Sequence, residues 1–371
     1  MKKMTILVAV ALCATSAFAS KARLKALQSS PHLQDSRDVI SREPDQALVH
    51  GEFVSIETAS VTPGTNGANN AAVAPATTPI NAEGGFVRKL SDTSALGAWI
   101  GAKNENLANQ SLALAGTTQQ VQNPLNLYYA NKMGDMAWGL GLNYSNFEDK
   151  TAKTKASSMG LNASLSSAAG WEAQLGLGLT GEATVSDANK FEQKSPMFLS
   201  GGYWMDTMFL YGKYAMGGGK AKGVASGTTT KDLEASQIEI GVVNSHKKDG
   251  ADFFYGVSYL MTTAKDKVTG GSKTEESSLP VVIGIEADAT SWMVLRGSIK
   301  QNVLLGSSKT STDTATSSET SLVDSTVVGA GVGLKLGKFM VDGSLAAANG
   351  QSGKFGSDTN FLSDVSLTYA F

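Results

Sequence analysis

The side chains able to do covalent chemistry are few in this sequence. It contains three histidines, His32, His50 and His246, and a His-dependent hydrolase needs its base within hydrogen-bond reach of the proton it abstracts. His32 and His50 lie in charged sequence near the N-terminus, and His246 falls in an expected short turn, so none is held on a predicted strand of the repeated alternation that begins at 94. Gly176-Leu-Gly-Leu-Thr-Gly181 satisfies the dinucleotide pattern G-x-G-x-x-G. Those six residues sit inside an alternating strand with no helix after them, so the geometry that cradles a phosphate is missing. We take these glycines as small lumen-facing residues that ease curvature. Gly217-Gly-Gly-Lys220 lacks the Ser or Thr that follows the lysine of a phosphate loop. The single cysteine, Cys13, lies in a stretch expected to be removed, which leaves no disulfide or thiolate metal site. No catalytic residue, cofactor or metal is expected, and the chain reads as a non-enzyme.

A second chemistry is carried by ionisable residues that recur on one phase of a two-residue alternation. Glu172, Glu182, Glu239, Glu286, Asp342 and Asp364 share that phase with Lys213, Arg296, Lys300 and Lys335. The opposite phase is apolar. A Lys or Arg facing lipid at mid-bilayer costs about 2–4 kcal/mol, so the charged phase implies a wet interior. These ten residues are the candidate pore lining. Six acids against four bases give at most a weak cation preference, which screening by salt reduces further. The competing arrangement is a set of salt-bridged ladders filling a narrow interior.

The elements that position these residues are strands of about ten residues. Alternation marks about fourteen, at 94–103, 124–132, 136–147, 156–166, 171–182, 195–204, 207–216, 234–244, 252–263, 278–287, 291–301, 325–336, 339–347 and 361–371. Met136, Trp138, Leu140, Leu142 and Tyr144 alternate with Ala137, Gly139, Gly141, Asn143 and Ser145 in the clearest of them. Connections alternate between short turns, such as Met133-Gly-Asp135 and Gly337-Lys338, and long polar loops, such as 217–232, 264–277 and the Ser/Thr-rich 302–324. Two further strands, near Phe86–Leu90 and Asn109–Gly116, would raise the count to sixteen. An even count places both chain ends on the short-turn side.

The two ends carry their own signals. Lys2 and Lys3, an apolar run from Ile6 to Ala14 and Ala17-Phe18-Ala19 form an export signal with cleavage between Ala19 and Ser20. A lipoprotein signal is disfavoured because Leu12 stands before Cys13 where a small residue is required. At the other end Val365, Leu367, Tyr369 and Phe371 occupy one face of a strand whose opposite face is small or polar, and the chain stops on the aromatic. Trp138, Trp171, Trp204 and Trp292 each lie close to a short turn, as an interfacial girdle requires. The sequence has no post-signal run long enough for a membrane helix. It carries 40 Gly, 8 Pro and a net charge of −2 at pH 7, so there is no basic surface for nucleic acid.

Together the signal, the alternating strands, the loop order, the girdle and terminal Phe371 resemble a porin-like bacterial outer-membrane β-barrel. The resemblance covers residues 94–371. It implies an all-β, transmembrane, antiparallel up-and-down barrel, with Val365, Leu367, Tyr369 and Phe371 as a signal for the barrel assembly machinery. The acidic constriction-loop motif of many general porins is not found. Residues 20–57 are then an N-terminal periplasmic or plug segment, in which residues 21–28 form a short basic helix and 47–57 a short strand, and 58–93 a low-complexity linker. The expected function is passive diffusion of ions and small hydrophilic solutes. A gated transporter of hydrophobic substrates with an N-terminal plug, or a structural or surface-interaction protein, are the alternatives. Partners would be outer-membrane lipid and lipopolysaccharide, periplasmic chaperones and the assembly machinery. Monomer and homo-oligomer both remain open.

Overall fold

The structure is a computed structural model that describes residues 20–33, 40, 42–59, 81–102, 124–151, 153–185, 189–222, 231–312, 315–321, 326–349 and 364–371. A helix, α1 (Lys21–Ala26), and a 3₁₀ turn (Pro44–Leu48) precede the strands. The strands are β1 (Phe53–Ala59), β2 (Asn81–Ser91), β3 (Ser94–Ile100), β4 (Leu125–Met133), β5 (Met136–Asp149), β6 (Thr154–Ser167), β7 (Trp171–Val185), β8 (Asn189–Met205) and β9 (Met208–Lys222). They continue as β10 (Lys231–Lys248), β11 (Ala251–Asp266), β12 (Ser272–Thr290), β13 (Met293–Thr312), β14 (Ala315–Ser321), β15 (Val327–Leu336), β16 (Phe339–Asn349) and β17 (Asp364–Ala370).

Sequence neighbours pair antiparallel all the way round, and β1 bonds both β2 and β17, so the sheet closes on itself. The lower part of β13 pairs with β15 and its upper part with β14, so β14 and β15 stand end to end as one stave. The result is a closed, up-and-down, antiparallel barrel of sixteen staves. Closure leaves no free edge, which lipid requires because nothing in the bilayer can satisfy an unpaired N–H or C=O. Among the described residues no helix is long and apolar enough to cross a membrane.

All fourteen expected strands are present. The boundary drawn at 94 is too late, because β1 and β2 lie within the stretch assigned to segment and linker. Of the linker, residues 60–80 lie outside the described residues. The strand expected near Phe86–Leu90 is β2, whereas the one expected at Asn109–Gly116 lies outside the described residues and the sixteenth stave is β1. Both were faint for a physical reason. On β1, Val54 and Ile56 face outward, but the buried face mixes Phe53, Ser55 and Glu57. Gly84 and Gly85 break the pattern on β2, and Arg88 and Lys89 sit beside its rim turn.

The Ser/Thr-rich loop expected at 302–324 is largely strand instead. β12 and β13 run 19 and 20 residues, well past the 9–11 that a tilted crossing needs. Beyond the bilayer both faces of a strand are wet, so hydroxyl side chains suit it. Thr274 and Thr310, Ser277 and Ser307, and Ser308 and Glu276 hydrogen-bond across the ribbon at 3.3, 3.3 and 3.2 Å.

The short turns share one rim. Tight two-residue hairpins need positive φ, and Asp206 (57°), Asp249 (50°), Gly250 (78°) and Gly337 (67°) supply it. Above that rim the outer face is apolar and the inner face polar. On β17, Leu367 is exposed while Asp364, Ser366 and Thr368 are buried inside. Phe371 packs edge-on to Tyr369 and donates its backbone N–H to the Glu52 carbonyl at 3.1 Å, fastening the seam.

Because β1 is the closing stave, a chain beginning at residue 81 should not form a heat-modifiable barrel on refolding in detergent, whereas one beginning at 51 should. Equal gel shifts for the two truncations would contradict the β1–β17 seam.

Candidate functional site

The lumen holds the chain's own N-terminal segment. Of the two placements expected for residues 20–57, the described residues 20–33 and 42–50 occupy the interior. The helix α1 packs on β13, β15, β16 and β17, and the 3₁₀ turn on β3, β4, β5 and β6. Between them His32 reaches the opposite wall, where its ring lies 4.5 Å from that of Phe254 and 6.4 Å from that of Trp204. The segment therefore crosses the barrel from one side to the other.

The helix is short but well specified. Ser20 caps it by accepting from the Arg23 backbone N–H at 3.2 Å. Its one-residue spacing of Lys21, Arg23 and Lys25 spreads three cations around a six-residue helix, and each meets a carboxylate of the wall. Lys21 pairs with Glu83, and its backbone N–H donates to Glu57. Arg23 grips Glu286 with two donors, Nε at 2.7 Å and Nη2 at 3.0 Å. Lys25 pairs with Asp364 at 2.7 Å. Arg296 joins Glu286 (2.5 Å) to Asp342 (2.6 Å), and Ser20 Oγ donates to Asp342 at 3.0 Å. An unbroken chain of charge-assisted bonds thus runs Arg23–Glu286–Arg296–Asp342–Ser20. Bidentate guanidinium pairs of this kind are among the stronger hydrogen bonds.

Apolar contacts complete the seat. Leu24, Leu27 and Leu33 pack with Val243 and Phe254, and Ile40 and Ala47 with Phe53, Val87, Ala95 and Tyr128. Fully burying one side chain such as Leu27 is worth about 1.5–3 kcal/mol. Glycine in the wall lets the segment approach. A Cβ on Gly139 would stand 2.2 Å from the Asp45 nitrogen, and one on Gly331 2.6 Å from the Ala26 Cβ. Asp45 is held by Ser164 and Ser166 beside that glycine.

Nine of the ten candidate pore-lining residues are on the inner face. Glu286, Arg296, Asp342 and Asp364 bind the helix or its network. Lys213 and Glu239 face each other at 3.7 Å, with Tyr211 donating to Glu239. Glu172 and Lys213 border a cavity of about 40 Å³ with Arg42 and Glu43, room for a few waters. Lys300 shares the phase of buried Arg296 and Ser298, and Lys335 pairs with Asp288 near the short-turn rim. Glu182 is the exception. A bulge between Gly178 and Thr180 inverts the alternation above it, so Ala183 is buried inside and Glu182 is exposed outside.

The girdle needs a similar correction. Trp138 and Trp171 face outward and Trp292 sits in a rim turn. Trp204 points into the lumen, its ring tilted against Phe209 and edge-on to His32, because the even-numbered residues of β8 from Pro196 onward face inward. Tyr129, Tyr203, Phe253, Tyr255, Phe339, Tyr369 and Phe371 fill the outer belt near this rim, and Tyr144, Tyr214 and Tyr259 mark a second level. His246 lies in β10, not in a turn, with its ring 6.1 Å from that of Tyr255. Sequence reasoning missed the plug's partners at Glu57 and Glu83. Their signal, an acid on the buried phase of a strand, was hidden with the strands themselves.

Burial, reinforced by the Glu172 carboxylate, pushes the Glu43 carboxyl well above its usual range, against the pull of Arg42 and Lys213; Asp45 adds to the rise. A raised carboxyl favours docking while it stays protonated. Its contribution is complete below about pH 4.3, the ordinary glutamate value, and is lost as pH rises through the raised value. The protection of amides 42–50, taken relative to the intrinsic exchange rate at each pH, should therefore fall as pH rises above the ordinary glutamate range, and Glu43→Gln should flatten that fall. Arg296→Ala takes the guanidinium from buried Asp342 and one of two from Glu286, and should lower stability by about 3–5 kcal/mol in urea titrations of the refolded barrel. Gly139→Val should expel the 3₁₀ turn and expose it to protease while the barrel keeps its heat-modifiable mobility.

No protein-family model matches the chain, and no curated protein is similar to it in sequence. Solved structures that resemble it are barrels. A bacterial polysaccharide outer membrane secretin aligns over 86% of this chain and 98% of its own, with 8% identity and a TM-score of 0.44. OmpT, an outer membrane protein of Vibrio cholerae, aligns over 86% and 95% at 10% identity and 0.38. A mutant of the Rh. blastica porin aligns over 86% and 98% at 10% identity and 0.33. At these scores the likeness carries no functional argument. The closed wall, its apolar outside, its aromatic belts and its ionic interior are those of a transmembrane β-barrel.

Proposed function

We propose that the protein is an outer-membrane channel for ions and small hydrophilic solutes, closed by residues 20–50 and opened when they leave the lumen. The observation that supports this most directly is the chemistry of the plug's seat. The wall offers it Asp, Glu, Arg, Ser and Gly, which would be left as a water-lined path once the segment departs. Barrels of sixteen to eighteen strands are wide enough for such a path. The alternative, a gated route for hydrophobic substrates, fits less well, since the plug's apolar contacts are confined to two small clusters among a mostly polar seat. A surface-interaction role finds its own support in the hydroxyl-rich ribbon of β12–β14, and it is compatible with a channel.

The C-terminal strand is proposed to be what the assembly machinery binds. Its outward Val365, Leu367, Tyr369 and Phe371 form an apolar edge that is accessible before the seam closes, while periplasmic chaperones would shield it in transit. Outer-membrane lipid and lipopolysaccharide then surround the apolar band.

In planar bilayers the intact protein should give rare or small conductance steps, and a chain lacking residues 20–50 should give large, long-lived ones. Silence from both, with a folded barrel on the gel, would remove the channel reading. Phe371→Ala should refold in detergent with near-normal yield, since it removes at most about 1.5–3 kcal/mol of burial, yet its outer-membrane abundance in cells should fall. Normal abundance from a single chromosomal copy would count against the assembly role.

A further inference from the structure

We propose that the wall around α1 is a receptor seat for arginine-bearing basic peptides, and that Lys21–Ala26 is its built-in occupant. The proposal names what the emptied lumen takes up, and it rests on the channel reading only for the departure of residues 20–50 from the seat.

The guanidinium subsite is the first reason. Glu286 receives Arg23 in paired geometry, Oε2 accepting from Nε at 2.7 Å and Oε1 from Nη2 at 3.0 Å. The carboxylate is oriented from behind by the wall itself. Arg296 Nε donates to Glu286 Oε2 at 2.5 Å, and Arg296 Nη1 donates to Asp342 Oδ1 at 2.6 Å. Arg23 is among the largest fully buried side chains of the described residues. A planar guanidinium thus meets a carboxylate fixed to face it, a fit that an ammonium does not reproduce.

The rest of the seat suits a peptide more than a bare amine. Ser298 Oγ donates to the Ala26 carbonyl at 2.6 Å, so it reads main chain and not a side chain. Gly329 and Gly331 make room for that backbone: a Cβ on the first would stand 2.6 Å from the Ala26 carbonyl oxygen, and one on the second 2.6 Å from the Ala26 Cβ. Two residues after Arg23, Lys25 reaches Asp364 Oδ2 at 2.7 Å, an oxygen that Ser344 also holds at 3.0 Å. All these wall groups come from β12, β13 and β15 to β17. One sector of the lumen therefore recognises a guanidinium, an ammonium and a main-chain carbonyl in the order Arg-x-Lys-x.

These groups are fixed by the strand ladder and not by the helix. Glu286 stands opposite Arg296, Arg296 opposite Gly331, and Ser344 opposite both Gly331 and Asp364. When residues 20–50 leave, the same donors and acceptors keep their places in the wall. The helix holds the seat against a free peptide because its covalent attachment gives it a high effective concentration.

The test is competition in the full chain. Lys21→Gln, Arg23→Gln and Lys25→Gln together strip the occupant of its charges and leave the wall untouched. A fluorescent peptide with the sequence of residues 20–27 should bind the refolded triple variant at least about tenfold more tightly than the native chain, whose tethered helix competes. The same peptide with citrulline in place of its arginine keeps the shape and loses the charge. It should bind the variant at least about tenfold more weakly, as the loss of a charge-assisted pair requires. The native chain should show the same preference at higher peptide concentration, so the comparison survives a variant that does not fold. Equal affinity for the two peptides, or no binding to a barrel that is heat-modifiable on the gel, would overturn the seat. A barrel that conducts yet treats the peptides alike loses the seat and keeps the channel; a silent one that still prefers the arginine peptide does the reverse.

Discussion

A closed wall in lipid has only one wet side, and that constraint governs everything else in this protein. Within the lipid band the outward phase must be apolar, so the charge the strands carry there is turned inward. Inward charge then needs either water or a partner. Here the partners come from the N-terminal segment, whose cations at 21, 23 and 25 meet Glu83, Glu286 and Asp364. The same wall is thus compatible with two states of matter in the lumen, protein or water. Replacing one by the other exchanges ion pairs for hydration, which differ little in net free energy even though each is individually large. The apolar clusters around Leu27 and Ala47 tip that balance towards the filled state.

Most of the wall was legible in the sequence because a single rule, two-residue alternation, writes it. Met136 to Tyr144 show this best: each outward side chain is large and each inward one small or polar. Where the rule is interrupted, reading fails. One extra residue at the bulge near Leu179 was enough to put Glu182 on the wrong side, since a single-residue slip turns every later side chain over. Trp204 was misplaced for a related reason, because nearness to a turn fixes its height in the membrane but not the face it occupies. The interior of the barrel was hardly legible at all. That Lys21–Ala26 would be helical could be read locally, but its meeting Glu286 depends on a wall folded from the rest of the chain.

The extended strands above the bilayer illustrate how environment sets propensity. Ser and Thr in β12, β13 and β14 resemble loop composition, yet β-structure with two wet faces favours them, and they bond in cross-strand pairs. The membrane band ends where the outward phase ceases to be apolar. The sheet itself continues past that level, with its ladder shifted between Ser277 and Pro280 and again between Thr310 and Thr312.

The order of the chain gives the plug a peculiar history. Ser20 bonds a residue 322 positions away, Arg23 one 263 away and Lys25 one 339 away. Contacts so distant in sequence form late, because the entropy of closing the loop must be met before they give anything back. The first part of the mature chain to be made is therefore the last to find its place, and β1, which follows it directly, is sealed only by the final strand. The wall has to wrap around a segment that has no structure to lean on until the wall exists. Folding and filling become one event, and a barrel that closed early would shut its own beginning outside.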